Sequence, residues 1–541
     1  MLNTTMTMTE ALADVARRGE EQEALVCEGA RMSYGHLSEW VSRLAHGLYH
    51  DLGIRQGDKV ATLLLPGPPF ACLFFALARL GAVVVPLNPR LRRRALGVQL
   101  RHAEPTALVT SLPIEEDVTG QAPTLRHVID LGGEDSGTAL GDLMAHGGIE
   151  PRITVSPDAM LALLHTSGTT GSPKATMHTH RSLIAPVMAT VKVRQLWQRP
   201  STRMLGKQIR ALARYRERLL RAAAGPQIFL STIGWHTISG VELILQALLR
   251  GDTLVVMPHF HPRRALELVE HERATILIAV PMAYQVMLRV EGMEDYDTSS
   301  LIICGTGAAP CPPHLAREIE NPFGCAIHIG FGSTETAGGI AVTDLADSEF
   351  QRTETVGRPL SGVEVKVVDP QRQAVAPGEV GELVCRSDSV MLGYYRDPEM
   401  TSEVIDDEGW YYTGDLAVMD EDGYLRIVGR KKDMIIRGGR AIYPAEIESY
   451  LTAHTKIREA AVVGVPAPVG GERIWAFIML ETGEAMTSQE VKDYCGEDLE
   501  PYKIPREVRL VARFPRADTG KVQKFKLRQT ALEEPSEQEV P

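Results

Sequence analysis

The sequence predicts an α/β protein: a large N-terminal domain of helix-flanked sheets carrying a β-rich subdomain, followed by a small α+β domain. Three observations lead there. Apolar runs of strand length alternate with longer helical patterns through most of the chain, which is the rhythm of parallel sheets wrapped by helices. From about Val356 the texture changes to short alternating segments divided by Gly, Pro and Asp. After Arg430 strand and helix patterns mix again over roughly one hundred residues, the size of a compact domain.

In chain order, KVATLLL (59–65), AVVVPL (82–87), TLVVMP (253–258) and TILIAVP (275–281) read as buried strands. The most apolar stretch, PFACLFFALARLGAVVVPL (69–87), is broken by Arg79 and Gly81. It predicts a buried helix running into a strand rather than a membrane span, which needs about 20 continuous apolar residues. In the β-rich part, VEVKVVD (363–369), GELVCRS (381–387) and YLRIVGR (424–430) are the expected strands. The tail predicts a strand, a helix from near Pro444, the strands AAVVGVP (460–466) and IWAFIML (474–480), and more helix.

One segment departs from this texture. VKVRQLWQRPSTRMLGKQIRALARYRERLLRAAAGPQ (191–227) holds ten Lys or Arg and one acid, Glu217, for a net +9 in a chain whose total is −12. Leu205, Ile209, Leu212 and Leu219 recur at helical spacing behind Ser201, a capping residue. A basic amphipathic helical insertion is expected over about 191–227. It suits an acidic partner, or equally the acidic body of its own protein or a subunit contact.

Composition narrows the class. With 44% hydrophobic and 23% charged residues the chain is a globular protein, not a disordered or collagen-like one. Its seven cysteines form no CxxC pair, so neither a disulfide framework nor a zinc site is indicated and a reducing, cytoplasmic home is expected. The net charge of −12 disfavours nucleic acid as a partner. The N-terminus has no apolar core of signal-peptide length, no integral membrane segment is expected, and nothing sets the oligomeric state.

Four segments carry chemistry. LLHTSGTTGSPKATMHTH (163–180) follows an apolar run with a hydroxyl-rich glycine loop, whose N–H groups and hydroxyls suit phosphate oxygens. It is not a Walker loop, since Pro173 precedes Lys174 and Ala175 follows it; alone, it also fits a plain surface turn. GFGSTETAGG (330–339) repeats the chemistry and adds Glu335, a hard oxygen ligand suited to magnesium. The stretch 411–448 offers Asp415, Arg430 and the pair Gly438 and Gly439, and PRADTGKVQKFKLR (515–528) sets Lys521 in a glycine turn. His178 and His180 lack a nearby carboxylate and fit buried loop histidines better than a metal site.

Taken in this order, from about residue 30 to about residue 530, these segments resemble the adenylate-forming superfamily of acyl-CoA synthetases, peptide-synthetase adenylation domains and beetle luciferases. The resemblance implies ATP, Mg2+ and CoA as ligands and assigns roles residue by residue. Thr166, Ser167, Gly168, Thr169, Thr170, Gly171 and Lys174 would form the loop for the ATP β- and γ-phosphates. Phe331 would stack on adenine, with Gly307, Ala308 and Ala309 along the base's other side, and Gly332 and Ser333 would also bind the nucleotide. Thr334 would contact the α-phosphate, and Glu335, with Thr166, would hold magnesium. Asp415 would take both ribose hydroxyls, supported by Arg430, and Lys521 would bridge the substrate carboxylate and the α-phosphate. Lys432 falls at the family's hinge, dividing a domain of residues 1–431 from a small mobile one of 432–541. Gly438 and Gly439 would line the pantetheine channel, although a plain turn accounts for them equally well alone.

Two departures stand out: the loop ends PKA where the family has PKG, and Trp235 and His236 stand where the family has an aromatic followed by a His near the acyl pocket. His236 fits either a gating or a structural role. The function implied is an AMP-forming acyl-CoA synthetase, an acid–thiol ligase. The alternatives are an enzyme loading an acyl carrier protein and, in another class, a non-catalytic nucleotide-binding protein. Gly305, Gly307, Gly330 and Gly332 put small residues at the expected acyl pocket and no charged residue is evident there, so the predicted substrate is a hydrophobic carboxylic acid, medium-length or bulky and cyclic.

Overall fold

The computed structural model describes residues 2–131, 141–144, 151, 153–166, 174–198, 215, 225–437, 440–467, 471–516 and 520–533. Among these, two large sheets form the body of the protein. The first has seven strands. Its parallel centre is Val83–Pro86, Lys59–Leu63, Ala107–Thr110 and His127–Asp130, and Met160–Thr166 joins it in parallel. Lys174–Thr179 then turns back antiparallel to Met160–Thr166, with Gly393–Tyr394 at the edge. The second sheet has nine strands and a parallel run through Ala326–Ser333, Ile303–Thr306, Ile276–Ile278, Ile228–Ser231, Thr253–Val256 and Glu23–Cys27. These strands are short runs of β-branched and aliphatic residues, buried because helices cover them.

The stretch 69–87 folds as its sequence indicates. Pro68–Leu80 is a helix with nearly every side chain buried, Gly81 ends it at φ +65° where a side chain would be strained, and Val83–Pro86 follows as a central strand. Among the described residues no helix is long and apolar enough to cross a membrane.

The β-rich subdomain is an antiparallel sheet of Glu364–Val368, Val380–Arg386, Tyr411–Met419 and Leu425–Arg430. The C-terminal part pairs Ile435–Arg437 with Arg440–Ile442 and packs helices Pro444–Thr452, Ser488–Asp498 and Lys524–Glu533 around the sheet Ile457–Pro466, Glu472–Leu480 and Glu507–Leu510. In the basic segment, helix His180–Gln198 enters it and Tyr215 is buried, but 199–214 and 216–224 lie outside the described residues, and the expected amphipathic helix with them.

Candidate active site

The site begins where parallel strands end, the usual place for a ligand in an α/β sheet. Ile303–Thr306 and Ala326–Ser333 run side by side with Thr306 opposite Ile329. The chain then continues as Gly307, Ala308 and Ala309 from one strand and Gly330 to Ser333 in the other. A Cβ on Gly307 would stand 2.9 Å from the Gly330 carbonyl oxygen, so the absence of a side chain lets the two segments touch. Ala308 holds φ +62°, a conformation that a non-glycine residue rarely adopts and that bends this strip. Phe331 is half-buried, paired with Ala341 across the strands and packed on the cluster that contains it.

After Ser333 a tight turn, Thr334–Thr336, reverses the chain. The Ser333 N–H donates to the Thr336 hydroxyl at 3.2 Å, and that hydroxyl donates to the Gly338 carbonyl at 2.9 Å. Glu335 is fixed twice: its carbonyl accepts from the Met391 N–H and its Oε1 accepts from the Tyr394 hydroxyl, both at 2.8 Å. Burial, with Glu335 adding to it, raises the Tyr394 phenol pKa far above its ordinary value, so the hydroxyl keeps its proton as a donor. Tyr394 pairs in register with Thr176, which ties Glu335 to the strand of Lys174. Thr166 and Lys174 are themselves cross-strand partners, so the loop between them springs from a fixed base.

On the β-rich side Asp415 lies opposite Arg430. The guanidinium donates from Nε to Oδ1 at 2.7 Å and from Nη2 to Oδ2 at 3.2 Å. Burial raises the Asp415 pKa, opposed by Arg430 and Lys521. Lys521 comes from the C-terminal part, behind Gly520 at φ +82° and close to Arg516, whose side chain donates to the Gly520 carbonyl at 2.9 Å. Lys521 as a whole residue is exposed. The surrounding protein mass nevertheless lowers its pKa, Arg430 adds to this, and Asp415 and Glu335 oppose it. Lys432 is likewise lowered, by burial first and then by Arg430 and Lys174, against Asp433 and Asp415. Glu335, the segment of Asp415, Arg430 and Lys432, and Lys521 from the C-terminal part thus share one electrostatic neighbourhood.

That neighbourhood lies within a chain whose relationships are plain. The AMP-binding enzyme pattern matches residues 12–395, and that of the AMP-binding enzyme C-terminal domain matches 446–521. The chain belongs to the AMP-binding enzyme family. It is 32% identical to the putative acyl-CoA synthetase YngI of Bacillus subtilis, with 93% of this chain and 92% of the relative covered. It is 31% identical to the human mitochondrial medium-chain acyl-CoA ligase ACSF2, covering 97% of this chain and 87% of the relative. The crystal structure of the anthranilate CoA ligase AuaEII with anthranoyl-AMP superposes with a TM-score of 0.84 at 26% identity, over 98% of both chains. This member of the AMP-binding enzyme family is an AMP-forming acid–CoA ligase, and ATP and CoA are the family's substrates.

Other residues of the AMP-binding enzyme singled out from sequence fall as follows. Ser167, Gly168, Thr169, Thr170 and Gly171, and likewise Gly438 and Gly439, lie outside the described residues. His236 is half-buried one residue before Thr237, the N-cap of helix Ile238–Leu248, while Trp235 is buried edge-on against Phe70 with ring centroids 5.6 Å apart. His178 and His180 are buried and hydrogen-bonded: the His178 Nε2 lies 3.1 Å from the Thr176 hydroxyl, and the His180 Nδ1 accepts from the Met8 N–H at 3.1 Å. Burial pushes both down to about 4. No group of three or more His, Cys, Asp or Glu suited to a metal occurs among the described residues.

Two residues escaped the sequence reading. Tyr394, the donor to Glu335, sits in a plain GYY stretch that nothing marks. Glu242 is the second. It lies on the helix that begins just after His236, and its carboxyl accepts from the Gly339 N–H, four residues beyond Glu335. Its signal is a lone acid inside the apolar run SGVELILQALL (239–249).

Proposed function

We propose that the enzyme activates a hydrophobic carboxylic acid with ATP as an acyl-adenylate and passes the acyl group to the CoA thiol. The observation that carries this reading is Lys521 lying within electrostatic reach of Glu335 and of the hydrogen-bonded Asp415–Arg430 pair. An acid attacking the α-phosphate brings two anions together, and a cation held at their meeting point stabilises the charge that builds up there. Lys521 would bridge carboxylate and α-phosphate, with Thr334 at the same phosphate. Asp415, steadied by Arg430, would accept hydrogen bonds from the ribose hydroxyls. Phe331 would stack on adenine opposite Gly307, Ala308 and Ala309, with Gly332 and Ser333 beside the base. Thr166 to Gly171 and Lys174 would hold the outer phosphates.

Magnesium fits this set. The ion takes one or two protein oxygens and completes its shell with phosphate and water, and among the described residues Tyr394 engages only Oε1 of Glu335, leaving Oε2 to offer. Glu335, with Thr166, would hold it, and when bound it would neutralise phosphate charge. Residues 432–541 would then swing about Lys432, withdrawing Lys521 and bringing Gly438 and Gly439 to the CoA channel, with His236 near the acyl pocket. Relatives named for medium-chain acyl groups and for anthranilate bracket aliphatic and aromatic acids, in keeping with a pocket edged by glycines.

The test is pyrophosphate and AMP release across a panel of aliphatic and aromatic acids, followed by product analysis with free CoA and with an acyl carrier protein. Acid-dependent release of both products with acyl-CoA formation supports the reading. Thioester formed on the carrier protein alone would favour the loading enzyme.

A further inference from the structure

Glu242 has a setting unlike that of an ordinary surface acid. It is the fifth residue of helix Ile238–Leu248, between the buried Val241 and Leu243. Yet it retains accessible surface, unlike its buried neighbours. A residue among buried neighbours that keeps accessible surface faces a gap in the packing. The wall opposite is the backbone of Gly338 and Gly339: a Cβ on Gly338 would collide with Glu242 Oε2, and one on Gly339 would stand 3.7 Å from Oε1. Gly339 pairs with Gly332 across the sheet, so this carboxyl sits directly behind the segment that leads to Thr334 and Glu335.

Two protein donors reach the carboxyl, the Gly339 N–H and the Gln246 side-chain amide. Gln246 is itself held in place, donating to the Pro186 carbonyl at 3.3 Å and accepting from the Thr190 hydroxyl at 2.5 Å. A carboxylate offers about four acceptor positions, so capacity remains on the accessible side. A buried carboxyl is costly unless its acceptors are used, and an apolar acyl group leaves them unused.

We propose that Glu242 is a specificity-determining residue of the acyl pocket, and that it selects acids whose hydrocarbon body carries a hydrogen-bond donor, amino or hydroxyl, over their plain hydrocarbon counterparts. This rests on the acyl-activating reading above and refines it: the substrate is hydrophobic over most of its surface and polar at one point. Burial pushes the Glu242 carboxyl up to about 7, so near neutral pH an incoming donor meets a group able to accept its hydrogen bond.

The test measures kcat/KM by pyrophosphate release for matched acids: octanoate against its amino- and hydroxy-substituted forms, and benzoate against aminobenzoates and hydroxybenzoates. In the wild type a donor-bearing member should exceed its hydrocarbon partner by about tenfold or more. Glu242→Leu should reverse that ratio, and Glu242→Gln should lower it for the amines. A wild type that prefers the hydrocarbon member throughout overturns the proposal, even if neither variant folds. Variants that keep the wild-type ratio overturn it too, leaving Glu242 as a clamp between helix and strand. Wild-type inactivity on every acid would instead contradict the acyl-activating reading on which the proposal stands.

Discussion

Asp415 and Arg430 face each other across an antiparallel strand pair and share two hydrogen bonds, of 2.7 and 3.2 Å. The register of the β-rich sheet, rather than a flexible loop, sets this geometry, so the carboxylate is oriented before any ligand arrives. Preorganisation of this kind removes an ordering cost from binding.

Asp415→Ala should therefore raise KM for ATP by about 100-fold, the loss of two hydrogen bonds to a charged acceptor at about 1.5 kcal/mol each. Steady-state kinetics at saturating acid would check it. An unchanged KM for ATP would remove Asp415 from the nucleotide site.

Tyr394→Phe deletes the one side-chain donor seen on Glu335 Oε1 among the described residues. The carboxylate loses its orientation but not its charge, so kcat/KM for magnesium–ATP should fall roughly 10-fold, with higher magnesium restoring part of the loss. A variant identical to wild type in magnesium titration would show that the hydroxyl is only structural.

Much of this was legible in the sequence, and the limit has a physical cause. Strands such as Val83–Pro86 and Thr253–Val256 announce themselves because burial on both faces demands continuous apolar runs. Asp415, Arg430 and Lys521 were legible because their segments carry a recognisable order of glycines and charges. Tyr394 was not, because its role comes from a two-residue edge strand, Gly393–Tyr394, that pairs with residues more than two hundred positions earlier. Glu242 was hidden by its surroundings: an acid in an apolar helix says that it is buried, but only the fold says that Gly338 and Gly339 face it.

Burial lowers the pKa of His180 to about 4 in the folded chain, against 6.5 for an ordinary imidazole. The unfolded chain thus binds the extra proton between these values, and stability present above pH 6.5 is lost as the pH falls. His180→Gln should flatten the stability–pH slope between pH 6 and 4.5 by up to one proton, about 1.4 kcal/mol per pH unit. Urea denaturation across that range reads it; parallel slopes for variant and wild type would contradict the lowered value.

Glu242 works in the opposite direction. Its folded pKa of about 7 lies above the ordinary 4.5, so the folded chain holds the extra proton and the stability contribution is lost as pH rises through that window. The stability of wild type relative to Glu242→Gln should decline from pH 5 to pH 8. A constant difference would show that the carboxyl ionises as it does in water.

Lys432→Pro fixes φ at the proposed hinge. Adenylate formation should stay within a few-fold of wild type, while acyl-CoA formation slows by about 10-fold or more when the domain must turn. Earlier loss of adenylation would place Lys432 in the first half-reaction.

The most direct measurement compares the two half-reactions in Lys521→Ala. Acid-dependent exchange of pyrophosphate into ATP should fall by about 100- to 1,000-fold, because the cation beside Glu335 and Asp415 is gone. Thioester formation from a supplied acyl-adenylate and CoA should stay within about threefold of wild type, since Lys521 would act in only one orientation of the small domain. Equal loss of both half-reactions, or exchange at the wild-type rate, would contradict the account.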